Sequence, residues 1–135
     1  MTLHRISRLF AGLAGLLFAG IGLGFWVAPT EVAQTFGVTA AGPSGLGSLR
    51  ADFGGLFIGL ALLCGAGLYT RQRATLLSAA AVLAAIAAGR VIGWIAEGEV
   101  TGLPEIALEI AVFLALLGAA RGLSLTSART PLSPG

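Results

Sequence analysis

The 135-residue chain is 56% hydrophobic and only 10% charged, with a mean hydropathy of +0.94. Soluble globular domains carry about 25% charged residues, so this composition argues against a water-exposed surface and predicts one integral membrane domain. The formal net charge is +2, and the eight basic residues, all arginine, are scattered without interleaved aromatic residues, which argues against nucleic-acid binding.

The first predicted element is a membrane helix over residues 9–28, which follows a basic head at residues 1–8. Its apolar run is about 20 residues long, whereas the apolar core of a signal peptide has about 7–15, and no small-x-small cleavage site follows it. Gly20 and Gly24, four residues apart, predict the close approach of another helix. Trp26 ends the run, as aromatic residues often do at a membrane interface.

The longest connection covers residues 29–47. A short amphipathic helix is expected over residues 29–36, because Val32 and Phe36 have helical spacing. Residues 42–47 are predicted to form a loop, since they consist mainly of glycine, proline and serine. A plain connector and a lid over the bundle are both open as the role of this segment.

Three more membrane helices are predicted, over residues 49–69, 74–96 and 105–120. Ser48 is a suitable N-cap for the first of them. Two further glycine pairs with a spacing of four predict close helix packing, either within the chain or with a second copy. These pairs are Gly55 with Gly59 and Gly89 with Gly93. A single domain therefore covers residues 1–121, and residues 122–135, rich in serine, threonine and proline, are expected to be a mobile tail.

The charges of the turns predict how an up-down-up-down bundle of these four helices is oriented. One end of the alternating helices carries the arginines Arg5, Arg8, Arg71, Arg73, Arg121 and Arg129. The other end carries the acidic residues Glu31, Glu97 and Glu99. The positive-inside rule therefore predicts a multi-pass membrane protein with both termini and the tail in the cytoplasm. A bacterial inner membrane is the expected location.

Charged residues inside the apolar runs predict one polar cluster in the outer half of the bundle. Its members are Arg50, Asp52, Arg90, Glu105 and Glu109. Counted from the ends of their runs, Arg90, Glu109 and Asp52 lie roughly 9, 7.5 and 6 Å from the same side. Glu105 and Glu109 share a helix face, whereas Arg50 and Asp52 point to roughly opposite sides. Two neighbouring carboxylates favour a cation between them, for which Arg90 is the first choice and Arg50 the second.

Two uses of this cluster are open. A charge at the bilayer centre costs about 2.5–3.5 kcal/mol on insertion scales, so these side chains are expected to face the bundle interior and pair. Such pairs could form a lock that fixes the helix register. They could also hold the polar head of an amphipathic small molecule, such as a quinone or a lipid. A proton relay would need a chain of titratable groups across the bilayer. The inner half of the helices contains almost none, which argues against a relay.

No catalytic residue, metal ligand or cofactor is predicted, and the protein is not expected to be an enzyme. A nucleophile–base set is not visible, and His4 has no second metal ligand. Cys64 is the only cysteine, which excludes a disulfide framework and predicts a small buried side chain. The glycine-rich string at residues 20–24 lacks a preceding strand, so it is not a dinucleotide-binding loop.

The order of these motifs resembles an uncharacterised family of small bacterial four-helix membrane proteins, loosely similar to the DoxX-like group. The matching pieces are Leu-Arg-Ala-Asp-Phe-Gly-Gly at residues 49–55, Gly59, Gly89-Arg90, Glu97-Gly98 and an acid in the last helix, best matched by Glu109. The resemblance covers about residues 6–121 and implies the four-helix fold and the membrane setting, but no settled activity. Some DoxX-like proteins are associated with thiol or quinone redox systems, whereas this chain lacks a cysteine pair.

The function predicted from these observations is that of a non-enzymatic accessory or assembly component, with the charged cluster as its lock. The alternative is a binder or carrier of a quinone or lipid at that cluster. The expected partners are the lipid bilayer, a second copy of the chain or a larger membrane complex.

Overall fold

A computed structural model describes residues 3–98 and 100–127 of the chain. Five helices make up this part: α1 (Leu3–Val27), α2 (Pro29–Thr35), α3 (Gly42–Tyr69), α4 (Arg73–Glu97) and α5 (Leu103–Ser127). No strand occurs among the described residues. The all-α fold predicted from the sequence is therefore confirmed.

Four of these helices, α1, α3, α4 and α5, are long and apolar enough to cross a membrane. Large apolar side chains point outward from each of them, for example Leu16, Leu62, Ile92 and Leu114. An exterior of this kind is stable against lipid tails and would be an aggregation surface in water. The pattern is that of a multi-pass membrane protein.

The four long helices form a ring in which α1 and α4 each pack against both α3 and α5. Neighbouring helices run in opposite directions, as the residues in contact show. Gly12 near the start of α1 faces Leu68 near the end of α3, and Gly22 faces Ile58. At the other side of α1, Gly118 of α5 lies against Ser7. The contacts thus have the up-down alternation predicted for the bundle, while its direction across the membrane stays a prediction.

The core of the bundle combines small residues with a few leucines. Leu60, Leu76 and Leu116 are fully buried, one on each of α3, α4 and α5. Alanines that let the helices approach fill the spaces between them: Ala11, Ala14, Ala79, Ala80, Ala119 and Ala120. Cys64 is fully buried in the same core, as predicted.

The glycines chosen from the spacing of four do not form the helix crossings of this chain. A Cβ added at Gly20, Gly55, Gly59 or Gly89 would meet no described atom of a neighbouring helix within 4 Å. These four glycines therefore do not lie at helix crossings within this chain. Gly24 faces Val32 of α2, and Gly93 faces only Glu97 of its own helix. The close approaches occur at Gly15, Gly22 and Gly67 instead. A helix that is apolar all round gives no sequence signal for its inward face, which explains the difference. Contact with a second copy stays a prediction.

The connection between α1 and the next long helix, residues 29–47, is more helical than the sequence indicated. The short helix α2 covers Pro29–Thr35, where an amphipathic helix was expected. Residues 42–47, predicted as a loop, form the first turns of α3 instead. Ser48 has helical backbone angles and makes no capping hydrogen bond, so its prediction as an N-cap is wrong. Proline suits the first turn of a helix, and Pro43 stands there, so the same residues that indicate a loop also start this helix.

A π-helical turn interrupts α3 at Leu49–Gly54, where α3 is in contact with α2. Phe53 of this turn and Phe57 of the next stack on Phe25 of α1. Phe36, next to α2, packs against the same two rings, Phe25 and Phe57. This aromatic cluster holds the connection between α1 and α3 against the bundle.

The last helix is longer than predicted. It runs to Ser127, so residues 122–127, expected to be part of a mobile tail, are helical. Contacts of Gly118 with Ser7 and of Gly122 with His4 hold this end of α5 on the start of α1, which accounts for the extension. The remainder of the predicted tail, residues 128–135, lies outside the described residues.

Candidate functional site

An ion pair joins α4 to α5 at the end of the bundle where their connecting turn lies. Arg90 Nε donates a hydrogen bond to Glu109 Oε1 at 2.9 Å. The side chain of Glu109 is 12% exposed and that of Arg90 is 30% exposed, so both charged groups are largely buried between the helices. In a membrane segment such a pair is stable because each charge neutralises the other.

The turn between the two helices is shaped by two glycines and a tryptophan. Gly98, with a φ of +72°, ends α4 in the left-handed region, and its N–H donates to the Trp94 carbonyl at 3.0 Å. The indole of Trp94 donates to the Thr101 carbonyl at 2.7 Å. Trp94 thus closes the turn. This closure sets the height of α5 relative to Arg90.

Glu105 belongs to the same cluster, although no ion pair joins it to Arg90. A Cβ added at Gly102, whose φ is +66°, would lie 3.2 Å from Arg90 Nη1 and 3.3 Å from Glu105 Oε2. Gly102 therefore leaves the space into which both side chains reach. A larger residue there would be strained by the backbone angle and would also displace them.

The carboxylates of the cluster are only partly satisfied. Glu105 Oε2 and Glu109 Oε2 are both buried and accept no hydrogen bond from any described residue. One guanidinium faces two carboxylates, so the cluster has one more negative than positive group. Buried acceptors in folded proteins usually have a partner, so two adjacent exceptions distinguish this place from the rest of the bundle.

Arg50 and Asp52, predicted to belong to the cluster, lie elsewhere. Arg50 Nε donates to the Trp26 carbonyl at 3.2 Å, and the Trp26 indole donates to the Arg50 carbonyl at 3.1 Å. This reciprocal pair joins α1 to the π-helical turn. Asp52 is exposed, and its carboxylate makes no hydrogen bond or ion pair with the described residues. The structure thus brings together Arg90, Glu105 and Glu109, three of the five residues.

A groove leads away from the cluster between α4 and α5. It has a volume of about 240 Å³ and starts at Glu109. Apolar side chains form its remaining walls: Leu83, Ala84, Ala87, Ile110 and Phe113. Leu83 lies seven residues before Arg90, which corresponds to roughly 10 Å along the helix axis. The groove therefore extends from the charged cluster toward the middle of the bundle.

Sequence reasoning missed the positions that hold this site in place. Gly102 and the Trp94–Thr101 hydrogen bond were not singled out, although a glycine two residues before Pro104 indicates a turn. The geometry of the cluster is that of an anion-rich polar site beside an apolar groove. Within residues 3–98 and 100–127, no three His, Cys, Asp or Glu side chains are placed to hold a metal ion.

Comparison with protein families agrees with the resemblance seen in the sequence. The profile of a family described as a domain of unknown function (DUF4345) matches residues 6–119. The chain belongs to this family. The matched range contains all four long helices up to the last turns of α5, and the whole Arg90 cluster. Neither the curated proteins nor the solved structures give a significant match.

Proposed function

We propose that this membrane protein binds an amphipathic small molecule at the Arg90 cluster. The head of the molecule donates hydrogen bonds to Glu105 and Glu109, and its apolar tail lies in the groove between α4 and α5. The observation that supports this proposal is the pair of buried carboxylate oxygens without a partner, one on each glutamate.

The chemistry of the site selects the kind of head. A buried acceptor without a partner costs about 1–3 kcal/mol, and more if it is charged, so a group with N–H or O–H donors gains affinity by satisfying it. Arg90 already donates to Glu109 Oε1 and leaves the two Oε2 atoms for the ligand. A lipid amine and a hydroquinone both carry such donors. A quinone in its oxidised form offers only acceptors.

The rival function is that of a non-enzymatic accessory component, in which the cluster only locks the helices. The ion pair at 2.9 Å between Arg90 and Glu109 supports this reading as well. The two functions differ in what they require of Glu105. A lock needs only the ion pair, whereas a ligand head also needs the free carboxylate oxygen of Glu105.

The variant Glu105→Gln separates the two functions, because it removes one carboxylate and leaves the ion pair intact. We expect it to weaken binding about tenfold or more, equivalent to about 1.4 kcal/mol, while the fold is retained. Binding is measured by native mass spectrometry of the detergent-solubilised protein, first for co-purified molecules and then by titration. Glu97→Gln, an exposed glutamate at the end of α4, is the matched control and is expected to bind like the wild type.

Two pairs of probes identify the head in this titration. Phosphatidylethanolamine carries N–H donors, and phosphatidylcholine with the same acyl chains carries none. A hydroquinone and its quinone with the same tail form the second pair. Stronger binding of the molecule that carries hydrogen-bond donors, in either pair, supports the proposal. The pair in which it occurs shows whether the ligand is a lipid amine or a hydroquinone. Equal binding within both pairs, or no difference between Glu105→Gln and the wild type, would favour the lock.

We also propose that the protein lies in a bacterial inner membrane with both termini in the cytoplasm. The arginines at one end of the bundle support this orientation. A fluorescent protein fused after Ser127 should then be fluorescent, and a phosphatase that folds only outside the cytoplasm should be inactive there. The reverse result at this position would contradict the orientation without affecting the ligand site.

A further inference from the structure

We infer that a second site, at the opposite end of the bundle, binds the phosphate of an anionic phospholipid. It is a groove of about 290 Å³ between the start of α1 and the end of α3. The residues that line it are Arg5, Arg8, Leu9 and Leu68. The site is independent of the Arg90 cluster and does not require the function proposed above.

Two arginines on one helix face form the polar side of this groove. Arg5 and Arg8 are three residues apart in α1, so their side chains are neighbours. Both are exposed, and neither guanidinium takes part in a hydrogen bond or an ion pair with the described residues. Guanidinium groups match the geometry of phosphate oxygens, so this pair can donate to one phosphate from two directions.

Hydrogen bonds to two of the last carbonyls of α3 reduce the repulsion between this helix end and an anion. The last carbonyls of a helix carry partial negative charge, which repels phosphate when they are free. Here Ala66 O accepts from both the amide and the hydroxyl of Thr70, at 2.8 and 2.7 Å. Gly67 O accepts from the Gln72 amide at 3.1 Å. These carbonyls are therefore occupied by the turn that follows the helix.

The charge around the groove has one sign. Arg71, Arg73 and Arg121 lie exposed at the same end of the bundle. The carboxylates of the described chain belong to the other end: Glu31, Asp52, Glu97, Glu105 and Glu109. Each basic residue near a membrane surface contributes to the attraction of anionic lipids. The groove thus lies at the basic end of the bundle.

The apolar half of the groove indicates a lipid as the source of the phosphate. Leu9 and Leu68 form its wall, and Leu68 rests on Gly12 one turn further into the bundle. Tyr69, next to Leu68, is 90% exposed, as expected for an aromatic residue at the level of the headgroups. A phospholipid can place its phosphate between the arginines and its first methylenes on the leucines, which a free phosphate cannot use.

The test compares two double variants with equal loss of charge. Arg5→Gln with Arg8→Gln removes the groove arginines, and Arg73→Gln with Arg121→Gln removes two arginines of the same end that do not line the groove. Phosphatidylglycerol and phosphatidylcholine with identical acyl chains are titrated onto the full chain in detergent, and bound lipid is counted by native mass spectrometry. If the first double variant does not fold, the single variant Arg8→Gln replaces it in the same titration.

We expect the wild type to prefer phosphatidylglycerol, and the groove variant to bind it about 10–30-fold more weakly. The control variant should lose about threefold or less. Equal losses in both double variants would assign the effect to the overall charge of this end and overturn the site. Displacement of the lipid by millimolar glycerol phosphate would identify a soluble phosphate compound as the occupant and overturn the lipid assignment.

Discussion

Arg90→Ala is expected to destabilise the protein by about 3 kcal/mol. Removal of one partner from a buried ion pair costs roughly 3–5 kcal/mol, because the remaining charge is left without compensation. The lower end of this range applies since the Arg90 side chain is 30% exposed. Glu109, which is 12% exposed in the intact pair, would be left beside Glu105 with no cation between the two carboxylates. The midpoint of thermal unfolding in detergent, compared with that of the wild type, measures the effect.

Two further variants establish the cause of this loss. Arg73→Ala removes an exposed arginine at the start of the same helix and should change stability by about 0.5 kcal/mol or less. Arg90→Met combined with Glu109→Leu replaces the pair by apolar groups and should recover most of the stability, as substitutions of buried pairs commonly do. A cost below about 1 kcal/mol for Arg90→Ala would show that the pair is screened, as surface ion pairs are.

The meeting of Arg90 with Glu109 was accessible from the sequence because depth in a membrane helix can be counted. Each residue adds about 1.5 Å, so positions relative to the ends of the apolar runs give comparable heights. The sequence also indicated that two carboxylates would compete for this cation. Direction around the helix axis is a different quantity. It depends on which neighbour each face packs against, and the run lengths contain no information on that.

Arg50 and Asp52 show the consequence. Both residues lie within the π-helical turn at Leu49–Gly54, where side chains point in directions that differ from those of a regular α-helix. Arg50 is held by the Trp26 carbonyl on α1, one helix away from the cluster. A π-helical turn has no reliable sequence signature. Neither this turn nor the pairing with Trp26 could therefore be predicted from the residue pattern.

The glycines show the same limit for the fold. Four apolar runs and their turns define the number of the long helices well, since hydropathy along the chain is sufficient for that. Which glycine lies at a crossing depends on the inward face. Gly20 and Gly22, two residues apart on α1, point in different directions, and the spacing of four selected the one that meets no described atom.

Gly22→Ala is therefore expected to be the most damaging small substitution among the glycines of α1, with a loss of about 2–3 kcal/mol. The added Cβ would lie 2.8 Å from Ile58 Cγ1 and 2.9 Å from the Ile58 backbone nitrogen. A side chain can change rotamer, but the backbone of α3 can only move as a helix. Overpacking of this kind typically costs about 1–3 kcal/mol. Thermal unfolding in detergent reports the loss.

Gly20→Ala is the matched control, with the same chemical change two residues earlier. Alanine is about 1 kcal/mol more favourable than glycine inside a helix, and no described atom lies within 4 Å of the added Cβ. This variant should therefore be slightly more stable than the wild type, so the two substitutions have opposite signs. If Gly20→Ala also destabilises the protein and native mass spectrometry shows the loss of a dimer, Gly20 packs against a second copy. Equal effects in a monomer would contradict the helix crossing at Gly22.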